Sequence, residues 1–117
     1  MKILLSTFAA ALLSVTVLPA LAADAVTPDA GSAAIEAMGK VNGMALACKQ
    51  PVIVTRARNA VIDIASKTRT NGEIFENATN AAFLEQGKGA ACPDTASFVA
   101  ALDEAEKKLQ AAFPAAK

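Results

Sequence analysis

The sequence predicts an all-α fold: a small four-helix domain with one disulfide, following a cleaved N-terminal signal peptide. Three observations carry that expectation. Four segments repeat apolar residues at spacings of three and four. No stretch offers a pair of strand signals that could form a sheet. The chain opens on an export leader and holds two cysteines, Cys48 and Cys92.

The leader is read first because it sets the compartment. Met1-Lys2 is a short positive start, and Ile3 to Leu18 is an apolar run broken only by Ser and Thr. Pro19 and the small-x-small triplet Ala20-Leu21-Ala22 follow, as a signal peptidase requires. The run is shorter than the roughly 20 residues of a spanning helix, and no basic stop-transfer cluster follows it. Residues 1–22 are therefore expected to be removed, with Ala23 and Ala25 as further positions that satisfy the cleavage rule. The mature chain would be exported, periplasmic or secreted, with no integral membrane segment. Residues 23–31 are small and Pro-bearing and read as a flexible N-terminal segment; residues 32–117 read as the helical domain.

The first helix is expected over about Ser32 to Cys48, with Ser32 as N-cap. Ala34, Met38, Val41, Ala45 and Cys48 form its apolar stripe. Gly39, Gly43 and Ala47 lie four apart on a second stripe. Each glycine costs a helix about 1 kcal/mol relative to Ala, so the spacing invites an explanation. Either the small face admits another backbone, within the monomer or across a homodimer, or Asn42-Gly43 breaks the segment in two. The second helix is expected from Pro51, whose missing N–H suits a first helical position, to about Ser66. Ile53, Ala57, Ala60, Val61 and Ile64 make its stripe. Lys67 to Gly72 is polar and ends in a turn dipeptide. The third, about Glu73 to Gln86, turns Ile74, Phe75, Ala78, Ala82 and Phe83 inward and stops at Gly87. The fourth, about Thr95 to Phe113, is capped by Asp94 or Thr95 and repeats Phe98, Leu102, Ala105, Leu109 and Ala112. Asp103–Lys107 and Glu104–Lys108 are acid-first i,i+4 pairs along it. Pro114 ends it.

So short a mature chain has a thin core and gains from a covalent fastening. In an oxidising compartment Cys48 and Cys92 can pair, tying the end of the first helix to the start of the last. Two buried thiols or an intermolecular bridge are the competing readings.

Composition then removes chemistries. The chain has 11 basic and 11 acidic residues and no His. Balanced charge argues against a nucleic-acid partner. Without His there is no Ser–His–Asp or Cys–His arrangement, no c-type haem motif and no partner for Met38 or Met44 on a b-type haem. Two cysteines fall short of the four ligands of a structural zinc site. Glu73 with Glu76, and Asp103 with Glu106, have spacings common on solvated helix faces. Asn77-Ala78-Thr79 matches a glycosylation sequon by coincidence in a chain with a bacterial-looking leader. No catalytic, cofactor-binding or metal residues are assigned, and the protein reads as a non-enzyme without cofactor.

Charge placement is the remaining signal. Lys49, Arg56, Arg58, Lys67 and Arg69 face only Asp63 in their stretch, while the stretch from Glu73 to Glu106 is strongly acidic. The basic stretch could attract an anion or an acidic partner. The favoured reading is internal complementarity, with helix two beside helices three and four. Arg56 and Arg58, two apart, point in different directions.

The layout of leader, short mature chain, four helices and two cysteines flanking the middle pair, from Cys48 to Phe113, resembles the HdeA and HdeB family of periplasmic acid-stress chaperones. That resemblance implies a protein that loosens at low pH and offers apolar surface to unfolded clients. With no His, such a switch would act through carboxylates near pH 4 or below. The stretch Asn42-Gly43-Met44-Ala45-Leu46-Ala47-Cys48 is also similar to small exported proteobacterial proteins, a likeness that brings no activity. The expected function is a small exported, non-enzymatic binding or chaperone-like protein. The alternative is an accessory subunit or inhibitor of an envelope enzyme.

Overall fold

A computed structural model describes residues 29–114; the expected leader, the rest of residues 1–28 and residues 115–117 lie outside the described residues. Within them the chain forms four α-helices and no strand: α1 (Ala30–Ala47), α2 (Pro51–Ile64), α3 (Arg69–Gln86) and α4 (Thr95–Ala112). α1 is the central element. α2 and α4 touch each other and cover one side of it, while α3 packs against α1 alone.

α1 begins before Ser32. The Asp29 carboxylate accepts the Ser32 N–H at 2.7 Å, so Asp29 is the N-cap and Ser32 already lies inside the helix. The segment read as flexible therefore ends two residues sooner than expected. Its last member, Gly31, lies where a Cβ would come within 2.8 Å of the Phe113 ring, so the start of α1 meets the end of α4 there. α1 runs unbroken through Asn42-Gly43. It ends in a Schellman turn: the Gln50 N–H reaches the Ala45 carbonyl at 2.9 Å and Lys49 adopts φ 57°.

α2 starts on Pro51 as expected and stops at Ile64. α3 starts four residues ahead of Glu73. Thr68 Oγ1 accepts the Asn71 N–H at 3.1 Å and Asn71 Nδ2 donates to the Ser66 carbonyl at 2.8 Å. A hydroxyl cap thus outweighs the turn tendency of Asn71-Gly72. Gly87 ends α3 in a right-handed conformation, φ −67°; the positive φ of that connection, 99°, falls on Gly89. α4 is capped by Asp94, which accepts the Ser97 N–H at 2.7 Å.

The core is the apolar stripe of α1 closed by α2 and α4. Ile35, Met38, Ala45, Leu102 and Leu109 are fully buried, with Phe98, Ile53 and Ala57 around them. Each large side chain removed from water contributes about 1.5–3 kcal/mol. Ile35 belongs to this core although the four-and-three pattern passes over it. Phe83 does not belong to any core: placed inward by its spacing, it is 46% exposed. Cys48, the C-cap of α1, is bonded to Cys92, with Cα atoms 5.8 Å apart and a separation of 44 positions in sequence.

Candidate functional site

The surface with most to offer a ligand or partner is built around α3. Helices ordinarily pack with axes 8–10 Å apart, a distance set by their side chains. Gly39 and Gly43 remove those side chains from α1. A Cβ on Gly39 would lie 2.6 Å from Ala78 Cβ and 2.9 Å from the Phe75 carbonyl oxygen. One on Gly43 would overlap the Thr79 carbonyl oxygen and come within 2.8 Å of Ala82 Cβ. Small residues thus face small residues, and α3 lies with its backbone directly on α1. The glycine face is occupied within the monomer. Ala47, one step further along the stripe, is half-buried at the end of the helix.

This seam is narrow. Ala78 and Thr79 are the only buried residues of α3. Asn42 sits in the seam at 1% exposure, and its Nδ2 donates to Thr79 Oγ1 at 3.1 Å. Its Oδ1 is buried without a hydrogen-bond partner. Because α3 touches neither α2 nor α4, a groove opens on each of its flanks. One, of about 540 Å³, runs between α2 and α3 over Asn42 and Leu46. The other, of about 490 Å³, is formed with α1 by Lys40, Met44, Ala78, Ala82 and Glu85 among others. Further along α3, Phe83, whose backbone nitrogen borders the Gly43 contact, and Leu84 stand 46% and 66% exposed.

The basic residues do not gather into one clamp. Arg56 reaches across to α4, with Nη2 3.2 Å from Asp103 and 3.5 Å from Glu106. That bridge takes Asp103 from the expected Lys107 pairing; Glu104 and Lys108 do pair, at 3.7 Å. Arg69 pairs with Glu73 at 3.8 Å, one turn along α3. Arg58 lines the α2–α3 groove, and among the described residues Arg58, Lys49 and Lys67 make no ion pair. Internal complementarity thus holds between α2 and α4 and does not extend to α3.

Two carboxylates titrate away from their ordinary range. The Ser32 backbone N–H, followed by its side chain, lowers Asp29. The Ser97 side chain and then its backbone N–H lower Asp94. Both act as N-caps, where the anion also meets the positive end of a helix dipole. Among the described residues no cluster of three or more His, Cys, Asp or Glu could hold a metal, and no helix is long and apolar enough to cross a membrane.

Neither the grooves nor the orphaned Asn42 oxygen is signalled by any residue pattern. A polar residue flanked by Gly39 and Gly43 was the available signal, and it reads equally well as a helix break. No family model, curated protein or solved structure matches the chain.

Proposed function

We propose that this protein is a small exported binding protein of the bacterial periplasm, chaperone-like in that it holds apolar polypeptide segments on and beside α3. The observation that carries the reading is an amphipathic helix supported by one narrow seam. Phe83 and Leu84 stand exposed on it, and a groove lies along either flank. Apolar side chains left in water beside apolar grooves are the ordinary mark of a polypeptide-binding surface. The disulfide supports export, since such bonds persist in oxidising compartments.

An acid-stress role is supported by where the carboxylates act. Asp29 and Asp94 hold the starts of α1 and α4, and Asp103 with Glu106 holds α2 to α4 through Arg56. Protonation of Asp29 and Asp94 weakens both caps, loosening the starts of α1 and α4.

The test is suppression of client aggregation, read by light scattering of an acid-unfolded model protein at neutral pH and after a drop to about pH 3. The oxidised wild-type chain is expected to suppress scattering, more strongly in acid. The double variant Phe83→Ser, Leu84→Ser, altered only at exposed positions, is expected to lose most of that effect. A wild-type chain that leaves scattering unchanged at both pH values overturns the reading, as does a double variant equal to wild type.

A second reading, an accessory subunit or inhibitor of an envelope enzyme, is favoured by the unpaired Arg58, Lys49 and Lys67. It expects one acidic partner recovered in fixed stoichiometry from the native envelope, and that recovery lost on reversing these three charges.

A further inference from the structure

We propose that α3 is a hinged flap, which opens from α1 as one unit while α1, α2 and α4 keep the core closed. The use this protein makes of the opening rests on the polypeptide surface proposed above; the opening itself does not, and it is measured without a client.

Opening breaks little. The large members of the buried core, Ile35, Met38, Ile53, Phe98, Leu102 and Leu109, come from α1, α2 and α4, and no residue of α3 is among its buried members. Ile74 and Phe75 lean on that core half-buried, and Ala78 and Thr79 alone are buried in the seam. Among the described residues, one side-chain hydrogen bond joins α3 to another helix, from Asn42 Nδ2 to Thr79 Oγ1. The other polar contacts of α3 stay within it and its flanks. Arg69 pairs with Glu73 and Lys88 with Glu85, Thr68 Oγ1 accepts from Asn71, and Gln86 Nε2 donates to the Ala90 carbonyl. Segments with few buried apolar contacts are the ones that open below the cost of global unfolding.

Opening also relieves a cost. In the closed seam Asn42 is 1% exposed and its Oδ1 has no donor. Lifting α3 away admits water to that oxygen, so the closed form carries a desolvation penalty that the open form sheds. The seam itself favours an all-or-none step. Gly39 and Gly43 bring two backbones together with no large side chain between them, and attraction between close-packed small atoms falls steeply as a gap opens.

The tied ends set how far the flap travels. On one side its connector leaves α2 at Ala65, which is buried in the core. On the other, Cys92 is bonded to Cys48 at the end of α1. Between those two points α3 swings without leaving the molecule. Its opening uncovers Gly39, Asn42 and Gly43 on α1 and Ala78, Thr79 and Ala82 on α3, a face that the closed form hides.

The experiment is hydrogen exchange of the oxidised full chain, read by ¹H–¹⁵N NMR at neutral pH with urea added below the unfolding transition. An isolated helix of 18 residues with Gly72 and three Asn inside it is marginal in water, so its amides exchange once it is lifted off. The Ala78, Thr79 and Asn80 amides are expected to share one protection factor, at least about tenfold below those of Met38 and Leu102. They respond weakly to urea, because this opening exposes little surface. Ile53→Val separates the opening from global unfolding. Its contacts lie in the core that stays closed, so Met38 and Leu102 lose protection about two- to tenfold while the α3 amides do not change. Amides of α3 as protected as those of Met38 and Leu102, or losing protection in step with them on Ile53→Val, overturn the proposal.

Discussion

At the scale of single residues, what a position tolerates is decided by what its next atom would touch. Gly43 and Gly72 are both helical glycines, and identical substitutions at them have opposite signs. A methyl on Gly43 meets the α3 backbone, which cannot move aside, whereas one on Gly72 meets nothing within 4 Å. Gly43→Ala is expected to cost about 3 kcal/mol, the upper end of the overpacking range. Gly72→Ala is expected to gain up to about 1 kcal/mol from helix propensity. Urea midpoints of the two variants check both, and a Gly43→Ala chain as stable as wild type would show that α3 does not lie on α1 as described. Lys49 is the converse case. It holds the left-handed position of a Schellman turn that glycine ordinarily fills, and its strain of about 1–2 kcal/mol is held by its neighbour Cys48 in the disulfide and by the Gln50 N–H on Ala45.

At the scale of elements, the four helices were legible because periodicity survives any tertiary context, and the apolar stripes of α1, α2 and α4 are the core. The misreadings have local causes. Asp29 and Thr68 stand outside the apolar pattern, so periodicity does not mark them as caps; a cap is set by where a side-chain oxygen finds a free N–H. Spacing turns Phe83 inward because it reports a face without reporting how wide its partner is; the seam on α1 is too narrow to cover the side chain. The grooves follow from which helices do not touch, and no residue pattern records that. The caps give a pH prediction whose sign is fixed. Asp29 and Asp94 are lowered in the folded chain, so their stabilisation is complete above the ordinary aspartate value of 3.8 and is lost as pH falls through their depressed folded values. Asparagine caps equally well without titrating. The double variant Asp29→Asn, Asp94→Asn should therefore match wild type at neutral pH and unfold at a lower pH, followed by circular dichroism between about pH 5 and pH 2. Acid transitions that coincide would place the sensitivity in other carboxylates.

At the scale of the whole molecule, a thin core is made sufficient by one covalent bond. The pairing of Cys48 and Cys92 is legible from the expected leader and from count, because two cysteines leave one internal connectivity. Closing a loop of 44 residues removes unfolded-state freedom worth about 4 kcal/mol. The double variant Cys48→Ser, Cys92→Ser should lose roughly that amount in guanidinium unfolding, a large share of the whole stability of a chain this size. A loss under about 1 kcal/mol would mean that the unfolded chain is already held together elsewhere. The bond also encloses α2, α3 and the short connector from Ala65 to Thr68 within a single ring of chain. A protease that cuts the connector therefore releases no fragment. It opens the ring, adds one water to the mass, and leaves two pieces that travel together until a reductant separates them, so proteolysis at the connector reshapes this protein without removing it.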